Sequence, residues 1–212
     1  MDFIAQREQK KYTALWDSCP EYRAVSPADY LTPLFLTTFQ KQIRKDDAII
    51  DYGCGPGRSA IPLEEAGLQV HLLDLCENSL DLPIFLKTVG PHSTVHFHQA
   101  CLWDLPSTLA PAEWMICFDV LEHLPEKKVL LALEGLASRM TKGGLVSISL
   151  REDHHGKLIR QRLHLTIKTA LWWHEQLSRF FTIYKELYTD SQCLVWALKP
   201  FTTEKEKAAK RG

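Results

Sequence analysis

The residues best suited to chemistry begin at Asp51, where Asp51-Tyr52-Gly53-Cys54-Gly55-Pro56-Gly57 follows the apolar run Ala48-Ile49-Ile50 and leads into a helical segment near Arg58. Alternate glycines at a strand end supply the positive φ of a tight turn and let a ligand lie against the main chain. The helix that follows opens with free N–H groups. A second apolar run, Val70-His71-Leu72-Leu73, ends in Asp74. It lies about 20 residues past the turn, the spacing at which a carboxylate can accept both hydroxyls of a ribose. Turn and acid together point to a nucleoside ligand. A dinucleotide fingerprint would place its third glycine at position 58, where Arg58 stands, and a P-loop would continue into Gly-Lys-Ser/Thr, which this turn does not.

A further apolar run ends in Cys117-Phe118-Asp119-Val120-Leu121-Glu122-His123-Leu124-Pro125. Histidine has an ordinary pKa suited to proton transfer near neutrality, so His123, positioned by Glu122, is a candidate general base or substrate-orienting group. The plainer reading makes both residues caps of the next helix. Residues 151–173 are dense in histidine, basic and aromatic side chains. Their cations could grip an anionic group of a substrate, with His164, Trp172 and Trp173 lining a ring-sized slot. The alternative is a solvated amphipathic connection with the tryptophans in the core. His154-His155 lacks the company of further ligands and the six cysteines include no Cys-x-x-Cys, so no metal is expected.

These residues need a scaffold. From Asp47 onward short apolar runs alternate with helical segments, the order of strand, crossover helix and strand that builds a parallel sheet. The pattern predicts strands at 48–52, 69–74, 94–99, 114–118 and 144–150, and two more at 181–188 and 192–198 joined by Thr189, Asp190 and Ser191 as a hairpin, which makes one of them antiparallel. Helices are expected at 58–66, 77–88, 126–140 and 168–180. Two helical segments come first, one in the opening turns of the chain. The other starts at Ser26 as N-cap, with Pro27 and Asp29 in its first turn, and runs to about Arg44. The expected fold class is α/β: a Rossmann-like, mostly parallel seven-stranded sheet with helices on both faces and a C-terminal antiparallel hairpin strand.

The pattern Asp51-x-Gly53-x-Gly55-x-Gly57 resembles motif I of the class I S-adenosylmethionine-dependent methyltransferases. In that family the acid at the strand end engages the amino group of the methionine moiety, and the glycines make room for the ligand. Ala100-Cys101-Leu102-Trp103-Asp104-Leu105-Pro106 is similar to the family's Gly-Asp-Ala-x-x-Leu-Pro motif after strand 3, but the usual acid falls on Cys101. Adenine recognition would then rest on the backbone of Cys101 and Leu102, or on Asp104 reaching back. Trp103 is read as packing rather than as a stacking platform. Val120-Leu121-Glu122-His123-Leu124-Pro125 looks like the signature of the ubiquinone-biosynthesis-like branch of small-molecule methyltransferases, and not like the Asp/Asn-Pro-Pro-Tyr/Phe motif of amino-methylating nucleic-acid enzymes. Met140-Thr141-Lys142-Gly143-Gly144 is similar to the family's turn into strand 5.

The resemblance covers residues 46–150. It implies S-adenosyl-L-methionine as cofactor, held by Asp51, Gly53, Cys54, Gly55, Gly57, Asp74, Leu75, Cys101, Leu102 and Phe118. Arg23, in an N-terminal segment that related enzymes use as a lid, would reach the cofactor carboxylate. It implies methyl transfer to a small-molecule acceptor, with oxygen favoured. The alternatives are an RNA or nucleotide methyltransferase that uses the basic stretch 157–168 on phosphate, and a non-catalytic cofactor-binding protein. The chain accordingly divides into an N-terminal helical lid, 1–45, a methyltransferase domain, 46–200, and a charged tail, 201–212, expected to be disordered.

Composition sets the remaining limits. A net charge of −1 over 212 residues gives no general cationic field, so nucleic acid is disfavoured as a partner. No apolar stretch reaches the roughly 20 residues of a membrane span, and the first residues lack the apolar run of a signal peptide, so a cytoplasmic protein with reduced thiols is expected. The sequence sets neither an oligomeric state nor the identity of the acceptor.

Overall fold

A computed structural model describes residues 1–90 and 93–201, so the expected tail lies outside the described residues from 202 onward. Seven strands, β1 (Ala48–Tyr52), β2 (Gln69–Asp74), β3 (Val95–Gln99), β4 (Ala112–Phe118), β5 (Met140–Ser149), β6 (Phe181–Thr189) and β7 (Cys193–Pro200), form one sheet in the order β3-β2-β1-β4-β5-β7-β6. The strands β1 to β5 are mutually parallel, and β7 runs antiparallel to both β5 and β6. The expected α/β class and the C-terminal hairpin are both present.

Both faces of the central strands are covered, which is why they read as nearly continuous apolar runs. Alternation along β1 sends Ile50 and Tyr52 to one core, with Met115, Val146, Trp173 and Trp196, and Ile49 to the other, with Val70, Ile116 and Leu145. The first face is covered by α6 (Glu126–Ala137) and α7 (Ala170–Leu177), the second by α3 (Ala28–Phe39), α4 (Ala60–Glu65) and α5 (Leu82–Thr88). The rings of Phe35 and Phe39 on α3 stand 5.9 and 5.0 Å from that of Trp114 on β4. This helix is therefore part of the sheet's own core.

Local chemistry accounts for the shifted boundaries. The helix expected over 77–88 divides into a 3₁₀ turn, Glu77–Ser79, and α5, because Pro83 has no N–H to donate four residues back and its ring would clash there, so it fits only in the first turn of a helix that begins at Leu82. The helix over 126–140 stops at Ala137, since Met140 already belongs to β5. At the N-terminus α1 (Phe3–Ser18) is capped by Asp2, whose carboxylate accepts from the N–H of Ala5 at 2.8 Å, and Pro20 opens the short α2 (Pro20–Ala24).

The carboxyl ends of β1, β2, β4 and β5 meet at one edge of the sheet, where ligands bind in open α/β folds. The turn at 53–57, Leu75, the loop at 101–103, the segment 119–124 and the residues after Ser149 all project from that edge. Above it lie α1, α2 and residues 151–164. Leu15 and Cys19 pack on Leu163, and the buried Lys11, paired with Glu8, donates to the carbonyl of Arg162 at 3.1 Å.

Candidate active site

The glycine turn and Asp74 form one unit. Gly53 and Gly55 have φ of +73° and +52°, and a Cβ added to Gly53 would stand 2.5 Å from a methyl group of Val120. The Asp74 carboxylate accepts from the N–H of Gly55 at 3.0 Å and from that of Cys76 at 2.9 Å, which ties the turn to the end of β2. Burial raises Asp74 to about 6 against those hydrogen bonds. Burial raises Asp51 further, to about 7; the Ser59 hydroxyl opposes this and the negative charge of Asp74 adds to it. Among the described residues neither carboxylate has an ion-pair partner, so the floor favours a ligand that brings positive charge and hydroxyl donors.

Above this floor is a cavity of about 510 Å³. Of the expected cofactor residues, Asp51, Gly53, Cys54, Gly55, Asp74, Leu75, Cys101, Leu102 and Phe118 border it. Bare main chain at 53–55, two carboxylates and the apolar Leu75, Leu102 and Phe118 suit the polar and planar parts of an adenosyl amino acid.

His123 also borders the cavity, its Nδ1 2.6 Å from the hydroxyl of Tyr12. Burial, helped by neighbouring His164, lowers its pKa to about 3, so the imidazole is neutral at pH 7. His164 lines the wall beside it, ring centroids 4.5 Å apart, and donates from Nδ1 to the carbonyl of Arg151 at 2.6 Å.

Several expected residues stand elsewhere. Gly57 does not border the cavity; its φ of +75° and the close approach of Ile84, 2.8 Å from a Cβ placed there, make it a packing glycine. The guanidinium of Arg23 donates to the carbonyls of Ser79 and Asn78, each at 2.6 Å, and pairs with Asp81 at 3.2 Å. It fastens α2 to the segment after β2 instead of facing the cavity. Trp173 is wholly buried in the core and Trp172 packs beside it, so neither forms the slot expected of them. Asp104 pairs with the N-terminal ammonium at 3.3 Å and does not reach back to the site.

Glu122 is also off the cavity wall, fully buried, with its carboxyl accepting from the N–H of Ser149 at 2.8 Å. Its backbone carbonyl accepts from Leu165 and Thr166. It therefore staples β5 and the segment after it to the 3₁₀ turn Leu121–His123, and α6 begins with no side-chain cap from either Glu122 or His123. One buried oxygen of Glu122 lacks a partner, and Glu122, His123 and His164 bring ligand-capable atoms within 4.8 Å of one another.

Among the cavity residues that the sequence did not mark as site candidates, three aromatics and one acid stand out. Tyr12 and Trp16 lie one turn apart on α1 and face the cavity together, and Tyr22 follows on α2, its ring 4.9 Å from that of Trp16. Aromatic residues four apart on an otherwise polar helix were the available signal. Asp119 stands at the end of β4 with φ of +52°, exchanging hydrogen bonds with Ser147, one of them at 2.5 Å. Burial raises its pKa. Asp119 sits in the same stretch as Glu122 and His123 and was passed over for them.

Comparison with known proteins shows the family. A family model described as a methyltransferase domain matches residues 21–188. A ubiquinone biosynthesis O-methyltransferase of Bordetella bronchiseptica is 30% identical over 156 residues, 69% of this chain and 61% of that protein. One of Leptothrix cholodnii is 25% identical over 151 residues, 68% of this chain and 62% of that protein. The chain thus aligns with under two thirds of the length of these curated relatives. A 1,6-didemethyltoxoflavin-N1-methyltransferase of Burkholderia thailandensis, crystallised with its substrate and S-adenosylhomocysteine, superposes with a TM-score of 0.72 at 17% identity, covering 94% of this chain and 89% of that one. The magnesium protoporphyrin IX methyltransferase of Synechocystis PCC 6803 with bound S-adenosylhomocysteine gives 0.61 at 17%, covering 95% and 89%. At such identities these two likenesses establish the fold. Because the family model takes in most of the chain, including the glycine turn, Asp74 and the His123 segment, the chain belongs to the methyltransferase-domain family, on the Rossmann-like fold of the class I S-adenosylmethionine-dependent enzymes.

Proposed function

We propose that this protein transfers a methyl group from S-adenosyl-L-methionine to a small-molecule acceptor, and that the acceptor atom is oxygen. The observation that carries the reading is the joined unit of Gly53, Gly55, Asp51 and Asp74 on the floor of a 510 Å³ cavity. Bound there, the cofactor supplies an electrophilic methyl on a sulfonium whose departure as a neutral thioether needs no acid. The residues' task is to hold the acceptor in line with that methyl and exclude water.

In this assignment Asp74 takes the ribose hydroxyls, Asp51 the amino group, and the backbone at Cys101 and Leu102 the adenine. Tyr12, Trp16 and Tyr22, together with residues 151–155, form the roof, so α1 and α2 act as the lid. His123 orients the acceptor as a neutral imidazole. With its pKa near 3 and Nδ1 engaged by Tyr12, it is a poor proton acceptor at neutral pH. We assign proton removal from a hydroxyl to Asp119, whose carboxylate borders the cavity and has a raised pKa. The likeness to ubiquinone O-methyltransferases supports an oxygen acceptor.

A nitrogen acceptor is the second reading, favoured by the excess of acidic side chains on the wall, where Asp119, Glu152 and Asp153 face the single cation of Arg151. Incubation with methyl-labelled cofactor and separate panels of phenols and amines tests both. Labelled ethers with no labelled amines support oxygen transfer, the reverse supports nitrogen, and no labelled product from either panel or from a cell extract refutes small-molecule methyl transfer.

A further inference from the structure

Away from the cavity, the edge strand β3 carries His96 and His98, and its neighbour β2 carries His71. The parallel register sets His71 against His96 and Leu73 against His98, so alternation along the strands puts all three imidazoles on the same sheet face. His71 Nδ1 and His98 Nε2 are 3.0 Å apart. The His71 ring lies 5.3 Å from that of His96 and 5.2 Å from that of His98. None of the three borders the cavity, and none has a part in the chemistry assigned above.

Two facing ring nitrogens at that distance share one proton, because a neutral imidazole carries a single N–H and the other nitrogen must accept. Charging the rings is unfavourable. Burial and the two neighbouring histidines lower His71 to about 4, and burial followed by His96 lowers His98. Each neutral imidazole keeps one ring nitrogen free of hydrogen and, with its N–H on the far nitrogen, presents a lone pair to the gap between the rings, the form in which histidine binds metal.

We propose that His71, His98 and His96 form a binding site for a transition-metal ion of the Zn²⁺, Ni²⁺ or Cu²⁺ class, with His71 Nδ1 and His98 Nε2 as paired ligands and His96 swung in as the third. Metal–imidazole bonds of about 2.0–2.1 Å at a tetrahedral angle separate two ligand nitrogens by about 3.3 Å. The observed 3.0 Å need open only slightly for the metal to take the place of the shared proton, which moves by way of solvent to the far nitrogen of the same ring, so that each imidazole stays neutral and each facing nitrogen donates its lone pair. His96 is exposed on the sheet edge and can change rotamer. An all-imidazole set suits borderline ions and not the oxygen-seeking Mg²⁺ or Ca²⁺. The bound ion clips β3 to β2, and β3 is an edge strand of the sheet among the described residues.

The test uses the full chain and two probes, Cu²⁺ for spectroscopy and Zn²⁺ for stability. One equivalent of Cu²⁺ should give an electron paramagnetic resonance signal split by two or three imidazole nitrogens, and Zn²⁺ should raise the thermal midpoint. In His98→Asn the Cu²⁺ affinity should fall by about tenfold or more, and the Zn²⁺ shift should disappear. Since Glu122, His123 and His164 also bring ligand atoms together, His164→Ala is measured in parallel and should keep both effects. Binding unchanged in His98→Asn, or lost only in His164→Ala, overturns the proposal. If His98→Asn does not fold, the exposed His96→Ala and paramagnetic broadening of the His71 and His98 ring signals in the unaltered protein decide the matter, and unbroadened signals refute the site.

Discussion

The unusual protonation of the two floor carboxylates gives a quantitative test. Asp51 is raised to about 7 and Asp74 to about 6 because both are buried without a cation. If S-adenosylhomocysteine binds through its amino group on Asp51 and its ribose on Asp74, both acids must be ionised in the complex, and binding releases protons wherever they are protonated in the free protein. Between pH 7 and pH 5 the ionised fraction of a group titrating at 7 falls from about one half to about one hundredth, weakening affinity about fifty-fold. A group titrating at 6 adds about tenfold over the same range. Quenching of Trp16 and Trp103 fluorescence, both rings being at the cavity, follows the binding. Affinity should rise steeply from pH 5 to 7, and Asp51→Asn should bind more weakly at pH 7 while keeping only the shallower dependence of Asp74. The sign for the ligand-free protein is opposite. With folded pKa values above the unfolded ones, these two groups favour the fold most below about pH 4, and that contribution is lost as pH rises through 6 and 7. An affinity that is flat from pH 5 to 7, or a profile identical in Asp51→Asn, would exclude ligand binding through these two carboxylates.

Asp119→Asn should lower turnover by about 10²-fold or more while leaving S-adenosylhomocysteine affinity near normal, the range expected on losing a positioned proton acceptor, as measured by single-turnover methyl transfer. His123→Ala should slow turnover without abolishing the rise of rate with pH, because a neutral orienting imidazole is not the titrating group; loss of that dependence would return the base role to His123. Gly53→Ala should cripple cofactor binding through its collision with Val120, whereas Gly57→Ala, which crowds Ile84 and Leu80, should act mainly on stability, separable by comparing calorimetric affinity with the melting temperature. Trp173→Ala should destabilise the fold by about 3–5 kcal/mol in urea titration, as expected for removing a core tryptophan, with the affinity of the folded fraction preserved.

The sheet was legible because apolar runs on buried parallel strands are short, bounded by glycine, proline and acidic residues, and hard to mistake. All seven strands lie within a few residues of expectation. The floor of the cavity was legible for a similar reason: glycines at positive φ and an acid at a strand end are fixed by local backbone geometry. Roles decided by packing were not. Arg23, Trp172 and Trp173 carry the right chemistry for a pocket, but their environments come from helices distant in sequence, which turn the guanidinium toward the carbonyls of Asn78 and Ser79 and Trp173 into the core. Glu122 and His123 were read as a pair because they are adjacent. The 3₁₀ turn sends one side chain to the N–H of Ser149 and the other to the hydroxyl of Tyr12, a residue more than a hundred positions earlier. The cavity aromatics Tyr12, Trp16 and Tyr22 lie before residues 46–150, where the sequence motifs resemble the family, and Tyr12 and Trp16 had only a helical spacing to mark them.

Whether the floor holds an adenosyl amino acid is best decided by isothermal calorimetry at pH 7.5 with S-adenosylmethionine and S-adenosylhomocysteine, on the unaltered protein and on Asp74→Ala. One-to-one binding of both compounds is expected, and its loss in the variant, with the fold intact by circular dichroism. Absence of heat from either compound with the folded protein, or undiminished binding in Asp74→Ala, would contradict that expectation.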